Sequence, residues 1–336
     1  MHLSSEINFS QWLSIPLPSS VSAALALNRP MPPKFWMLNR YRFPMPDMRA
    51  YNPSIMRFPD GVIRMTYRRH GLADASAAIP GDRSEVVICD LDEQLEKPTN
   101  HRVISGMVGP NSEDARLFMH AGVPQIAYTA AEYRKDAGWI CHLECGALAP
   151  DGSWDSVVFH RQTDYGVNRI FMEKNWSWFS DGTNLRFVYS IAPLVVFDHG
   201  SRNPSIHRHM AEWVFGVPHG GTPPIWADGL WISFCHSYRI CAKNKRQYFL
   251  GAYAFDSEMK LQKFTRWPIM AGSEAEGFIF NTTSSTWHPT VVFPCGAIFE
   301  KDMWTVSIGV NDSWCGMIQF HRDWLNTLLQ PVPVSG

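Results

Sequence analysis

Polar openings, short apolar runs and glycine turns follow one another along this chain in a pattern that returns five times, at a spacing of about sixty residues. The copies are Asn52–Arg68, Glu113–Thr129, Glu173–Ser190, Gly221–His236 and a looser one from His288 to Gly309. Each opens on polar residues, continues as a short apolar strand, turns at a glycine that is Asp-Gly in three cases, and leaves on an aromatic-rich strand. That is the signature of a β-hairpin. Between copies lie further β-branched and aromatic runs such as Glu85–Cys89, Trp139–Leu143 and Tyr248–Phe255, which supply outer strands. Four strands per unit make a propeller blade, so the pattern predicts an all-β, single-domain, five-bladed β-propeller over residues 46–330. A β-sandwich of this length fits less well, because its strands have no reason to repeat their polar openings. Residues 1–45, rich in proline, read as an extended N-terminal arm lying outside or closing the last blade. Helix is expected only in short pieces, over Phe320–Leu329 and near Ser19–Leu27.

Composition narrows the function classes. Charged residues are 18% of the 336 positions and aromatics 13%, with 14 Trp, which describes an ordered globular chain. Tryptophan at that density serves sugar-stacking surfaces as well as cores and blade interfaces. A formal net charge of −1 leaves no electrostatic footprint for nucleic acid or an anionic membrane surface. The seven Cys are odd in number and scattered through apolar runs, which argues against a disulfide framework and for a reducing compartment. Cys141 and Cys145 have the wrong spacing for a zinc knuckle, and no metal is expected. The N-terminal apolar stretch lacks a basic flank and is interrupted by proline, and no window holds enough consecutive apolar residues for a membrane span. A cytoplasmic location follows as the expectation. The composition is compatible with a homo-oligomer and does not define one.

In a propeller the innermost strand of each blade runs beside the axis, so the residues opening each copy converge. That ring contains Asn52, Glu113 with Asp114 and Arg116, Lys174 with Asn175, Thr222, and His288, while the exit strands offer Arg68, Tyr128, Tyr189 and His236. Strict alternation puts Asp114 and Arg116 on one face of their strand and Glu113 on the other. An Asp-x-Arg pair is commonly a structural ion pair. Its position here points further, because buried axial charge is costly unless a ligand needs it. Making or breaking a glycosidic bond requires a proton at the bridging oxygen, and Asp114 is the candidate general acid. The other blades contribute mainly cations: Arg68, Lys174 and His236, with Arg169 and Arg239 nearby in sequence. Such a set suits an oxyanion, phosphate above all. The plainer alternatives are a solvated Lys174, a core His236 and an exposed Arg239. Trp176, Trp178, Trp226 and Trp287 are expected to line the pocket.

These residues resemble glycoside hydrolase family 130, five-bladed enzymes that act on β-mannosides by inverting phosphorolysis or hydrolysis. The matching pieces are Asn52-Pro-Ser with Tyr67-Arg68, Glu113-Asp114-Ala-Arg116, Glu173-Lys174-Asn175-Trp176, Gly220-Gly-Thr-Pro223 with His236, and Ser307-Ile-Gly309 with Asn311-Asp312. Ala115 stands where the family usually has proline, which marks a distant relative. The resemblance implies Asp114 as proton donor, with Asn52, Arg68, Glu113, Arg116, Arg169, Lys174, Asn175, Thr222, His236, Arg239, His288 and Asp312 bordering sugar or phosphate. It implies an oligosaccharide or glycan substrate, no cofactor, and inorganic phosphate as co-substrate. Related propellers are β-mannosyltransferases using an activated donor, and the matching pieces do not separate the two. An inverting hydrolase would need a glutamate at the anion site, for which Glu173, Glu274 and Glu276 are the candidates. A non-catalytic glycan-binding propeller is the remaining reading.

Overall fold

Turn chemistry sets the hairpins. The Asp60 carboxylate accepts the amide of Val62, and that of Asp181 accepts the amides of Thr183 and Asn184, so each aspartate bends its own turn. Asp228 and Gly229 have φ of 52° and 78°, the two left-handed residues a tight two-residue hairpin turn needs. Lys301 and Asp302, at φ 50° and 63°, form the same turn in the fifth copy without a glycine.

In the computed structural model the described residues are 34–38, 42–44, 49–70, 84–105, 107, 111–134, 138–149, 154–160, 174–201, 203–207, 213–240, 246–271 and 291–332, with 132–134, 138, 139 and 154–160 described by backbone alone. They form β1 (Lys34–Met37), β2 (Arg49–Arg57), β3 (Ile63–His70), β4 (Ser84–Leu91), β5 (Pro98–Val103), β6 (Asn111–His120), β7 (Val123–Arg134), β8 (Gly138–Leu148) and β9 (Trp154–His160). There follow β10 (Ser177–Ser180), β11 (Leu185–Ile191), β12 (Leu194–Asp198), β13 (Ser205–His207), β14 (His219–Gly220), β15 (Ile225–Ala227), β16 (Leu230–Ile240), β17 (Arg246–Phe255), β18 (Leu261–Thr265) and β19 (Met270–Ala271). The chain ends on β20 (Val292–Glu300), β21 (Met303–Val310), β22 (Trp314–His321), helix α1 (Arg322–Leu328) and β23 (Leu329–Pro331). The architecture is therefore all-β with one short helix among the described residues.

Five antiparallel meanders organise these strands. The first, β2-β3-β4-β5, and the second, β6-β7-β8-β9, join into one eight-stranded sheet through a single parallel bridge between Ser84 and Asn111. The third is the four-stranded β10-β11-β12-β13. In the fourth, β14 and β15 both pair with β16, which pairs with β17, and β18, β19 and β23 complete seven strands. The fifth is β20-β21-β22, whose outer edge is taken by β1 in register Phe35↔Ile318 and Trp36↔Met317.

Apolar side chains fill the space between successive meanders. Ile88, Leu117 and Ile126 unite the first and second, Leu143, Trp176 and Phe187 the second and third, and Phe179, Val188 and Tyr253 the third and fourth. Phe234, Leu250 and Val306 unite the fourth and fifth, and Ile55, Val87 and Met317 return from the fifth to the first. Successive meanders also touch directly through polar groups: Ser307 Oγ of β21 donates to the Pro53 carbonyl of β2 at 2.6 Å, and the Leu117 amide of β6 to Ser54 Oγ of β2 at 2.9 Å. Cys89, Cys141, Cys145, Cys235, Cys295 and Cys315 are buried and in no disulfide among the described residues. No helix among the described residues is long and apolar enough to cross a membrane.

Candidate active site

Bulges at the start of the leading strands create the site. Between β2 and β3 the register jumps from Tyr51↔Arg68 to Ser54↔Thr66, and between β6 and β7 from Glu113↔Thr129 to Arg116↔Ala127. Each jump inserts one extra residue into the leading strand, which bends it and re-aims its side chains. Asn52 and Asp114 take left-handed φ of 51° and 52° there, Asn175 does so at 65° just before β10, and Asn311 and Asp312 at 53° and 47° after β21. Short polar side chains tolerate this conformation best, which is why the repeated openings are Asn and Asp.

The bulges bring Asn52 and Asp114 together. Asn52 Nδ2 donates to Asp114 Oδ1 at 2.6 Å, while Oδ2 has no hydrogen-bond partner among the described residues. Gly309 admits this pair, because a Cβ there would lie 1.8 Å from Asn52 Oδ1.

Glu113 lies between two cations. Arg68 Nη2 donates to its Oε1 at 2.8 Å and Lys174 Nζ to its Oε2 at 2.9 Å, with Arg68 Nη1 3.9 Å from Asp114 Oδ1. Burial alone would raise the Glu113 carboxyl, but Arg68 and Lys174 outweigh it and hold the group below the usual carboxylate range. Burial likewise works against charge on Lys174, yet Glu113, Cys141 and Asp114 push it up to about 12. Arg68 lies 5.3 Å over the Tyr51 ring, and burial lifts the Tyr51 phenol above its ordinary range. Asp312 acts electrostatically on Tyr51, Arg68 and Tyr248, so it belongs to the same pocket.

Strict alternation fails at this point. Glu113 and Asp114 both approach Arg68, and Arg116 does not pair with the Asp114 carboxylate. Its guanidinium instead donates to the backbone carbonyls of Gly221 at 2.5 Å and Asp114 at 3.2 Å, and to Asn175 Oδ1 at 3.3 Å. At 1% exposure, Arg116 stitches the second, third and fourth meanders beneath the pocket. Gly220 permits the close approach, since a Cβ there would meet the Asn175 carbonyl oxygen at 2.1 Å.

His236 is buried against Phe293, ring centroids 4.4 Å apart, and stacks on His219 at 5.5 Å and Tyr248 at 6.0 Å. Burial first, then His219 and Arg116, hold it well below the usual 6.5, so it is neutral at physiological pH. Thr222 is fully buried, and its hydroxyl accepts the Phe234 amide at 3.0 Å. Arg239 is exposed near the end of β16, 5.8 Å from the Phe215 ring. Trp176 and Trp178, at 1% and 0% exposure, sit in the apolar layer between the second and third meanders and do not line the pocket. Trp226 packs on Trp231 at 5.2 Å, and Tyr128 bonds the buried Glu144. Arg169, His288, Trp287, Glu173, Glu274 and Glu276 lie outside the described residues.

Tyr51, Tyr248 and Gly309 are part of this site and carry no separate signal in the sequence. Tyr51 adjoins the Asn52 opening and Gly309 ends a matching piece, but Tyr248 reads only as an outer-strand aromatic. Among the described residues the pocket gathers Arg68 and Lys174 around Glu113 and Asp114, with Asp312 acting on the same group and Arg116 beneath it.

No protein-family model matches the chain, and no curated protein does. Solved structures do match it. A β-1,2-mannobiose phosphorylase from Listeria innocua, in complex with β-1,2-mannobiose, superposes with a TM-score of 0.58 at 13% identity, covering 88% of this chain and 93% of its own. A GDP-Man-dependent mannosyltransferase from Leishmania mexicana gives 0.59 at 12% identity, covering 90% and 94%. A structure from the GH130 family of mannoside phosphorylases, which contains glycoside hydrolases that target β-1,2 mannosidic linkages in Candida mannan, gives 0.57 at 14%, covering 86% and 87%. At such identities the likeness is one of fold.

Proposed function

We propose that this chain is a glycan-active enzyme, an inverting β-mannoside phosphorylase, built as a single five-bladed β-propeller. In this reading residues 46–330 are the catalytic domain and 1–45 an N-terminal arm. Apolar layers between successive meanders, the last returning to the first, support the radial architecture. So does the completion of the C-terminal sheet by β1. Buried cysteines that form no disulfide among the described residues suit a cytoplasmic enzyme.

One observation carries the chemistry: Asp114 is fixed through one carboxyl oxygen by Asn52, beside a Glu113 that Arg68 and Lys174 hold. A general acid needs that arrangement, one oxygen held and the other available to substrate. Asp114, protonated, gives its proton to the bridging oxygen of a β-mannoside. The bond from that oxygen to the anomeric carbon breaks, and a phosphate oxygen attacks the carbon from the opposite face. The products are α-mannose 1-phosphate and the shortened saccharide, and the Asp114 carboxylate recovers a proton from solvent. Fold neighbours described as a β-1,2-mannobiose phosphorylase and as targeting β-1,2 mannosidic linkages favour a β-1,2-mannoside as substrate.

Transfer from an activated mannosyl donor is the second reading, supported by the fold likeness to a GDP-Man-dependent mannosyltransferase. Incubation with β-1,2-mannobiose, with and without inorganic phosphate, separates the readings. Mannose 1-phosphate formed only when phosphate is present supports phosphorolysis. Free mannose released regardless of phosphate, or turnover only with a nucleotide-activated mannose, contradicts it.

A further inference from the structure

A second concavity lies where the second and third meanders part, at the far end of the strands that carry the pocket. Asp114 stands near the start of β6 and His120 ends it, about 20 Å away at the usual rise of an extended strand. His120, Gln125 near the start of β7, Ala147 near the end of β8, Asn184 in the turn between β10 and β11, and Asp198 and His199 at the end of β12 line a groove of about 480 Å³. That lies within the range of small-ligand sites, about 300–1,000 Å³. His120 Nδ1 and Ser180 Oγ, 2.7 Å apart, tie the two meanders together beside it.

The lining groups have hydrogen bonds left to make. His120 spends Nδ1 on Ser180, and its Nε2 has no partner among the described residues. Gln125 is buried at 8% exposure, yet among the described residues its Nε2 reaches only the Val123 carbonyl, at 3.4 Å, and its Oε1 has no partner. A buried amide in that state is costly unless something else completes its bonds. Asn184 gives Nδ2 to Asp181 at 3.1 Å, and Asp198 accepts from Arg186 through Oδ1 at 2.5 Å, so each keeps one side-chain oxygen without a partner among the described residues. Burial first, then His120, hold the His199 imidazole below the usual 6.5, so it is neutral at pH 7. This set does not suit an anion, because Arg186, the cation beside it, is paired with both Asp181 and Asp198. Nor does it suit a metal ion: no three His, Cys, Asp or Glu side chains among the described residues are grouped to hold one. Imidazole, amide and carboxylate groups spaced around a groove match hydroxyls, each of which both donates and accepts.

We propose that this groove is a saccharide-binding site separate from the pocket at Asp114, holding a neutral sugar by its hydroxyls and doing no chemistry on it. His120, Gln125, Asn184 and Asp198 supply the contacts, two from each meander. The site goes beyond the activity proposed above and does not depend on it. A glycan held here sits at the opposite end of the strands from Asp114, so it stays bound while the pocket is occupied or empty.

Histidine ring signals read this groove directly. In the full chain carrying carbon-13 histidine, the His120 and His199 resonances are assigned from His120→Gln and His199→Gln, then followed by NMR during titration with D-mannose, D-glucose and D-galactose. Saturable shifts of both signals with at least one sugar are expected, and the same shifts in Asp114→Asn. Gln125→Leu should weaken that binding about fivefold, and Ala147→Phe, which fills the groove, should abolish it. Unchanged signals from the other histidines verify that each variant is folded, and Ala147, only half-buried, keeps the test open where Gln125→Leu does not fold. Sugar titrations that leave His120 and His199 unmoved, or shifts that survive Ala147→Phe, overturn the site. So does movement of these two signals with inorganic phosphate and with none of the sugars, which marks an anion site instead. Failure of Asp114 as catalytic acid leaves this readout intact, because it follows binding at the other end of the strands.

Discussion

Asn52 donates a 2.6 Å hydrogen bond to the carboxylate of Asp114 across an interval of 62 residues, and both residues hold left-handed backbone at bulges in the leading strands of different meanders. Neither conformation is favourable alone, and the bond between them belongs to what keeps both in place. Gly309 provides the room.

Gly309→Ala therefore disturbs Asp114 without touching it. The new methyl would lie 1.8 Å from Asn52 Oδ1 and 2.9 Å from the Asn52 amide nitrogen, so Asn52 must move. Turnover is expected to fall about tenfold or more, with a loss of about 1–3 kcal/mol of stability from overpacking. Adding Asn52→Ala should restore part of the stability and none of the activity, which a double-mutant cycle in urea unfolding and turnover measures.

Glu113 is held below its usual range, so it binds fewer protons when folded than unfolded. Its contribution to stability is full above its ordinary value of 4.5 and is lost as pH falls through the folded value. Glu113→Gln leaves Arg68 and Lys174 without their shared partner and should cost about 3 kcal/mol at pH 7. The variant should also lose less further stability than wild type on acidification below pH 4.5, as urea unfolding at several pH values will show.

His236 is depressed in the folded state, so the unfolded chain takes up its proton first. That contribution is complete above the usual 6.5 and is lost as pH falls below it toward the folded value. Urea unfolding at pH 7.5 and 5.5 should show wild type weakening over this interval, and His236→Gln weakening less. Equal slopes would mean that His236 does not titrate this way.

Arg116 bonds the backbone carbonyls of Gly221 and, within its own strand, of Asp114. Arg116→Met should leave those buried acceptors unmet and destabilise the fold by about 3 kcal/mol, and Arg116→Lys should rescue little, since an ammonium lacks the planar fork. Thermal melts of the two variants side by side check this.

Much of the architecture was legible because hairpins repeat with local signals: Asp60-Gly61, Asp181-Gly182 and Asp228-Gly229 mark turns whose chemistry lies within four residues. The recurrent Asn and Asp openings likewise gave Asn52, Asp114 and Asn175 before any geometry was known. Side-chain direction was not legible, because a bulge adds one residue to one strand and reverses every inference from alternation beyond it, as between Glu113 and Arg116. Burial of Trp176 and Trp178 was hidden for a related reason: an aromatic beside a polar opening faces either the pocket or the neighbouring meander, and only packing decides which. The sharing of Glu113 by Arg68 and Lys174 joins three meanders, and no local pattern encodes a meeting at that range.

The most direct test of the central claim compares two substrates in Asp114→Asn. A general acid matters in proportion to how poor the leaving group is. The variant should therefore lose about a thousandfold or more in phosphate-dependent cleavage of β-1,2-mannobiose, yet retain most of its activity on dinitrophenyl β-mannoside, whose leaving group departs without a proton. Equal losses on both substrates, or wild-type rates on the disaccharide, would contradict the assignment of Asp114 as the acid.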